Sequence, residues 1–349
     1  MYSLIIGIDL AKSVFQVHGI DGRGHVMVRR KLKRSELLPF LETQPKEGSL
    51  IAMEACASAH YWGRELSKLG FELVLLPPHQ VKPFVAPGKK NDANDAAAIA
   101  EAATRPHIHA VPIKSEDQQA ILVLHSCRTM LVRQRTMLVN ALRTHLAEFG
   151  LIAPKGIENV GRLVEAMKEA TLPDMARQVL DMMARQIHEL DSQIDDLLKR
   201  IQDHAKSQSL CRLLTSIPGI GPITASELVA SIPDISLFAS ARHFAAYLGL
   251  VPRQNSSGGK SRLGGISKTG NVQLRCHLVL GATSLLALAR KKSPPPMLGW
   301  IGALLKRKSS ARLVSVAIAN KLARIVWAVL KSGTVFEMDR WIARQQGAV

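Results

Sequence analysis

The sequence predicts an α/β domain at its amino end, a long helical connector and a mainly α-helical carboxyl-terminal domain. Three observations predict it. Short β-branched runs alternate with helical patterns up to about residue 110. Apolar residues then recur at helix spacing through two long stretches ending near residue 206. Beyond that, helical patterns return around a basic interruption rich in Gly and Ser. These shifts divide the chain into residues 1–110, 111–206 and 207–349, and 349 residues leave room for more than one core. An apolar content of 47% is that of a globular protein and excludes large-scale disorder.

Taken in order, Leu4 to Asp9, Val14 to Ile20 and Val26 to Arg29 read as a three-strand antiparallel meander, with a turn beginning at Asp21-Gly22. Ser35 to Thr43 is helical. Leu50 to Met53 is a fourth strand stopping at Glu54, and His60 to Leu69 is a helix closed by Gly70. Leu73 to Leu76 is a fifth strand, ended by Pro77 and Pro78. The stretch Lys89 to Ala103, KKNDANDAAAIAEAA, opens a helix in which Ala96, Ile99 and Ala103 form an apolar stripe.

The connector comprises two long helical patterns, Ser115 to Gly150 and about Pro173 to Ala205. Ser115 with Gln118 makes a capping box for the first, and Leu124, Leu131, Leu138, Leu142 and Leu146 follow at helix spacing. Such a pair suits either a coiled-coil arm that contacts another copy or an antiparallel hairpin within one chain. Next, Gly219 and Gly221 lie between two helical patterns, a helix-hairpin-helix-like segment whose amides suit a DNA phosphate or simply make a tight turn. Pro252 to Asn271, PRQNSSGGKSRLGGISKTGN, reads as an exposed loop. Its GGKS fragment lacks the strand-loop-helix frame of a nucleotide-binding loop. After a linker at Ser293 to Pro296 come further helices carrying Lys306, Arg307 and Lys308.

The net charge of +18 is unevenly placed. Residues 1–110 hold fourteen Lys/Arg against eleven Asp/Glu, whereas residues 241–349 hold eighteen against two, with no acid between Arg242 and Phe336. So one-sided a surface calls for a polyanion, most simply nucleic acid. Anionic membrane is the rival, but the apolar run Leu313 to Leu330 contains Asn320, Lys321 and Arg324 and reads as an amphipathic or buried helix, so no membrane partner is expected. Four scattered cysteines without a CxxC pair suggest neither zinc nor a disulfide framework, and the amino terminus lacks a basic n-region, so a cytoplasmic location is expected. Aromatics at 4% argue for backbone contacts over base stacking.

Asp92 and Asp95 share a helix face, and Asp9 and Glu54 stand where two buried strands stop. Helix capping would explain the first pair alone. All four acids in this element order match a ribonuclease H-like, RuvC-like domain, in which they would converge. Hard Mg²⁺ wants carboxylate oxygens, and two such ions roughly 4 Å apart serve phosphoryl transfer. Ser256 and Ser257 lie in the basic loop without a His or Asp partner, so on the residues alone they are phosphate-binding hydroxyls sooner than nucleophiles.

The combination of GIDLAK, MEAC and KKNDANDAAAIA with IPGIGPITA and YLGLVPRQNSSGGKSRLGGISKTGN resembles the DEDD transposases of bacterial insertion sequences known as family one-ten, which include Piv-type DNA invertases. The resemblance runs over nearly the whole chain. It implies a transposase or recombinase that cuts and rejoins DNA strands with Mg²⁺ on Asp9, Glu54, Asp92 and Asp95, a serine nucleophile at Ser257 with Ser256 as rival, and guidance by a bridge RNA. Lys260, Arg262 and Lys268 would then neutralise the DNA backbone nearby, as Lys306, Arg307 and Lys308 would on the last helices, and strand exchange would favour a homodimer or homotetramer. Two other functions stay open on the residues: a RuvC-like Mg²⁺-dependent nuclease or Holliday-junction resolvase using water, and a non-catalytic nucleic-acid-binding scaffold.

Overall fold

A computed structural model of the chain describes residues 2–85, 92–108, 110–256, 260, 262–295, 298–307 and 310–337. It forms two compact units, Met1–Glu116 and Asp117–Val349.

The first unit is built from β1 (Leu4–Asp9), β2 (Val14–Asp21), β3 (Val26–Lys33), α1 (Leu37–Glu42), β4 (Ser49–Glu54), α2 (Ala59–Lys68), β5 (Glu72–Leu76), α3 (Pro78–Val81) and α4 (Asp92–Ala103). The strands form one mixed sheet in the order β3-β2-β1-β4-β5. The meander β1-β2-β3 is antiparallel, while β4 joins β1 and β5 joins β4 in parallel. Parallel strands are covered on both faces, which is why LIIGID and SLIAME read as unbroken apolar runs. On one face Ile6, Ile8, Phe15, Val17, Ile51 and Met53 pack with Leu37, Leu41, Trp62 and Leu66 of α1 and α2. On the other, Ile5, Ile20, Leu50, Ala52 and Leu76 meet Ala98, Ile99, Ala100 and Ala102 of α4.

Gly7 sets the distance between α4 and the sheet. A Cβ there would stand 2.3 Å from the carbonyl oxygen of Ala96 and 2.6 Å from the amide nitrogen of Ala100. Only a glycine in β1 and alanines on α4 allow backbone to approach backbone so closely. The chain leaving α4 is fastened on the other side of the unit. Val111 bridges Leu75, the Lys114 amide donates to His60 Nδ1 at 3.3 Å, and Arg64 donates to the Lys114 carbonyl at 3.0 Å.

The second unit is helical: α5 (Glu116–Ala147), whose first residue still belongs to the first unit, then α6 (Val160–Glu169), α7 (Asp174–Ser207), α8 (Ser209–Thr215), α9 (Pro222–Ser231) and α10 (Ala241–Tyr247). A small hairpin of β6 (Pro252–Gln254) and β7 (Leu263–Ile266) follows, then α11 (Val272–Ala289), α12 (Gly299–Arg307) and α13 (Ala311–Ser332). Helices α5 and α7 form an antiparallel hairpin within the chain, joined by an Arg135–Asp191 ion pair. Its distal end is a core of its own, in which Val139, Leu142 and Leu146 pack with Leu180, Met183 and Ile187 and with Val160, Leu163 and Met167 of α6. A larger core gathers α8 to α11 with α13 around Phe244, Leu274, Leu278, Ile318 and Val326. Helices α11 and α13 are long and apolar enough to cross a membrane by length and composition, and each buries a face in this core.

The expected exposed loop from Pro252 to Asn271 differs in detail. It contains the β6/β7 hairpin, whose residues are almost all exposed, so no alternation of apolar and polar residues marks it in the sequence. Its base is held tightly. Buried Arg275 donates from Nη1 to the carbonyls of Leu248 (3.1 Å) and Thr269 (2.7 Å), and Gly249 and Gly270 adopt φ +68° and +70° with backbone packed against them.

The second unit also buries a polar cluster. His125 Nε2 and His204 Nδ1 hydrogen-bond the Ser226 hydroxyl at 3.0 and 3.1 Å, and Glu227 Oε2 lies 2.8 Å from His277 Nδ1 and 4.0 Å from His125 Nδ1. Burial, aided by the charges of His277, Arg128 and His204, pushes His125 down to about 4.

Two outcomes follow from this packing. Gly7→Ala should lower the urea midpoint of the full chain by an amount equivalent to about 1–3 kcal/mol, whereas Gly161→Ala, with open space around it, should be neutral or stabilising. The second concerns pH. Unfolded, His125 titrates near its ordinary 6.5, so between that value and 4 the unfolded chain binds a proton that the folded one excludes. Its contribution is complete above pH 6.5 and is lost as pH falls toward 4. Urea midpoints should therefore drop from pH 7 to pH 5 more steeply in the wild type than in His125→Gln; parallel curves would contradict this.

Candidate metal centre and nucleic-acid surfaces

Asp9 is the last residue of β1, and alternation along the strand turns it, with Ile5 and Gly7, to the face covered by α4. Glu54 ends the neighbouring parallel strand on the same face, because Ile8 pairs with Met53. The Ala55 amide donates to the Leu76 carbonyl at 2.8 Å, which carries the β4–β5 ladder one residue past Glu54 and fixes that strand end. Asp92 and Asp95 occupy the first turn of α4.

Since α4 rests on Gly7, its first turn comes down beside Asp9. One carboxylate oxygen each from Asp9, Asp92 and Asp95 lies within 4.8 Å of the others. Glu54 stands one strand over and is not part of this trio. Its charge nonetheless converges with that of Asp9: burial first, then Glu54, then Asp9 raise the Cys56 thiol above its ordinary value. Asp95 Oδ1 is buried and, among the described residues, accepts no hydrogen bond. Three carboxylates so close repel one another, and a buried carboxylate oxygen without a donor is costly unless a cation meets it. This all-oxygen donor set fits a hard divalent cation.

The basic candidates belong to the second unit. Gly219 has φ +86° in the turn between α8 and α9, and it packs against α11, where a Cβ on Gly281 would stand 2.0 Å from its carbonyl oxygen. Gly221 caps α9, is exposed and has open space around it. Lys260, Arg262 and Lys268 are exposed in or beside the hairpin, Lys268 with φ +58°, and Lys306 and Arg307 are exposed in the last turn of α12. The Ser256 hydroxyl accepts from the Arg262 amide at 3.2 Å and from Gln254 Nε2 at 3.1 Å. Ser257 and Lys308 lie outside the described residues. Gly7 and Arg275 were not among the candidates. A glycine inside a β-branched strand signals close backbone approach and could have pointed to Gly7, whereas nothing in the sequence distinguishes Arg275 from exposed arginines such as Arg253 and Arg262.

Comparison with known proteins matches these segments to two family models. An IS110-type DEDD transposase model covers residues 6–150, with all four acids, and the model described as "Transposase IS116/IS110/IS902 family" covers residues 211–314, with the glycine turn and the basic hairpin. The "Probable family 20 transposase" of Pseudomonas aeruginosa is 45% identical over 335 residues, covering 95% of this chain and 98% of its own. The transposase for insertion sequence element IS1328 of Yersinia enterocolitica is 40% identical over 332 residues, covering 95% and 98%.

The chain belongs to the IS116/IS110/IS902 transposase family.

It is thus a DNA-acting enzyme, and its DEDD domain implies use of a divalent metal by acids of the kind gathered here. The pilin gene-inverting protein of Moraxella bovis is also similar, at 31% identity over 152 residues, or 43% of this chain and 45% of its own.

Carboxylate repulsion gives Asp95→Asn a sign that depends on metal. In a chelator the substitution should raise the melting temperature, because a like charge is removed. In excess Mn²⁺ it should lower it, because ligand-linked stabilisation is lost, about 2.7 kcal/mol at a hundredfold excess over Kd. Thermal unfolding of both proteins in both buffers measures this, and the same ranking in both would count against a metal at the trio.

Proposed function

We propose that this transposase excises and inserts its element by breaking and rejoining DNA strands, using the acids with Mg²⁺ and a serine nucleophile of the carboxyl-terminal half, the two supplied by one subunit or by two. The observation that carries the proposal is the Asp9, Asp92 and Asp95 trio, with ligand oxygens within 4.8 Å of one another. The strand order β3-β2-β1-β4-β5, with the acids at the ends of β1 and β4 and the start of α4, supports a RuvC-like assignment of the first unit. Asp9, Asp92 and Asp95 would hold the metal, and Glu54 would complete the set from β4. When bound, Mg²⁺ would supply charge for the phosphate under attack.

In this scheme the Ser257 hydroxyl attacks the scissile phosphorus, the bond to the 3′ oxygen breaks, and that oxygen receives a proton and leaves as a 3′ hydroxyl. The phosphoserine ester conserves the bond, and a 3′ hydroxyl from the exchanged strand reverses the step. Ser256 already accepts two hydrogen bonds within the hairpin, which favours Ser257 as nucleophile. Lys260, Arg262 and Lys268 would pair with backbone phosphates beside it, with Gly219, Gly221, Lys306, Arg307 and Lys308 as further contacts.

Few aromatics and a strongly basic carboxyl-terminal half suit a protein that holds nucleic acid by its backbone and leaves sequence choice to a guide (bridge) RNA. Val123, Met130 and Met137, seven residues apart on α5 and 65%, 49% and 71% exposed, support pairing with a second copy in a homodimer or homotetramer. A cytoplasmic, nucleoid-associated location in bacteria goes with such a substrate.

The deciding test is a denaturation-resistant protein-DNA adduct on donor DNA with Mg²⁺ and the element's flanking transcript. The adduct should form with the wild type and Ser256→Ala, and vanish with Ser257→Ala and with Asp92→Asn. Cut DNA with free ends and no adduct in any serine variant would instead make water the nucleophile and the protein a RuvC-like nuclease.

A further inference from the structure

The first unit is nearly neutral as a whole, yet its edge strand is not. β3 carries Arg29, Arg30, Lys31 and Lys33 within five residues, all exposed. Its register divides them between two faces. Asp9 pairs with Gln16 and Gln16 with Lys31; Gly7 pairs with His18 and His18 with Arg29; Val14 pairs with Lys33. Directly paired residues point the same way, so Arg29, Lys31 and Lys33 stand on the sheet face that bears Asp9. Arg30 pairs with Val17, whose side chain is in the opposite core, and points to the other face. His18 agrees with this register: after burial, the charge of Arg29 holds it below its ordinary value.

Two strand spacings put Lys31 about 10 Å from Asp9 along the row of paired residues. Helix α4 lies over β1 and β2. Among the described residues none of the three cations forms an ion pair. Their spacing of two residues, about 6.6 Å, is of the order of the step between successive phosphates of one strand.

We propose that Arg29, Lys31 and Lys33 form a phosphate rail that seats the DNA strand entering the acid site. The proposal rests on the acid trio being the strand-breaking site. The three cations are positioning residues: they neutralise phosphates flanking the scissile one, and the row Lys31–Gln16–Asp9 leads from the rail to the metal ligands.

The test is binding of a fluorescent single-stranded DNA 20-mer by the full chain, without divalent metal, over a series of salt concentrations. Arg29→Gln/Lys31→Gln should weaken binding roughly tenfold near 0.1 M salt and lower the slope of log K against log salt by about 1.4. Arg29→Lys/Lys31→Arg should bind as the wild type does, and so should Arg30→Gln/Arg34→Gln, which removes equal charge from the other face, where Arg34 lies over the ring of Trp62. Equal losses in both glutamine doubles would reduce the effect to net charge and overturn the rail. So would no loss in either, or a loss seen only with an RNA 20-mer of the same sequence. Binding is read without cleavage, so an Asp9→Asn chain that still cut DNA would remove the acid-site assignment without altering this result.

Discussion

The contact between α4 and β1 at Gly7 is the constraint on which the rest of the first unit depends. A helix carrying ordinary side chains rests well above a sheet, and acids in its first turn would then be held away from a strand end. Here the side chain of Gly7 is absent and the helix face is mostly alanine, so main chain meets main chain and the helix start drops to the level of Asp9. The composition NDANDAAAIAEAA is therefore a packing requirement as much as a helix-forming one. The amino end of α4 brings partial positive charge to the same place, which eases the approach of Asp92 and Asp95 before any cation arrives.

Much of this was legible in the sequence because strands covered on both faces leave unbroken apolar runs, and because an acid at the end of such a run is conspicuous. β1 and β4 were found by that signal, the other strands by short β-branched runs bounded by turn residues, and the helix carrying Asp92 and Asp95 by the helix spacing of Ala96, Ile99 and Ala103. What it could not give was the depth to which α4 sinks, since that depends on a single Gly7 contact across nearly ninety residues, nor that Glu54 would stand one strand outside the trio. The second unit was less legible. Helix α6 is short and lies between two long patterns that dominate the periodicity, and the β6/β7 hairpin has no buried face to impose alternation. Gly219 shows the same limit: a glycine at a turn suggested an open amide, while the fold also uses it for close contact with Gly281 on α11.

The intrachain hairpin of α5 and α7 separates two properties that periodicity alone had merged. One apolar stripe of α5 closes against α6 and α7 and is needed within a single chain. Val123, Met130 and Met137 lie on a different stripe and remain exposed. A helix with two apolar stripes can stabilise its own hairpin with one and still offer the other, so hairpin and contact between copies are compatible outcomes of the same 32 residues.

Charge is organised on two scales. Over the last hundred residues the excess of Lys and Arg is large and almost uninterrupted, which raises the affinity of the whole protein for any nucleic acid and says little about where a strand lies. The first unit holds nearly balanced charge, and there the placement of each group matters more. Cations in direct contact with Asp9 or Asp95 would pair with the carboxylates and compete with a divalent ion. Cations on the opposite face would attract a strand to the wrong side of the sheet. Two strands away on the same face, Arg29 and Lys31 form no ion pair with the acids among the described residues and are near enough for one continuous backbone to touch both, an arrangement that the alternation and register of β1, β2 and β3 produce without any further element.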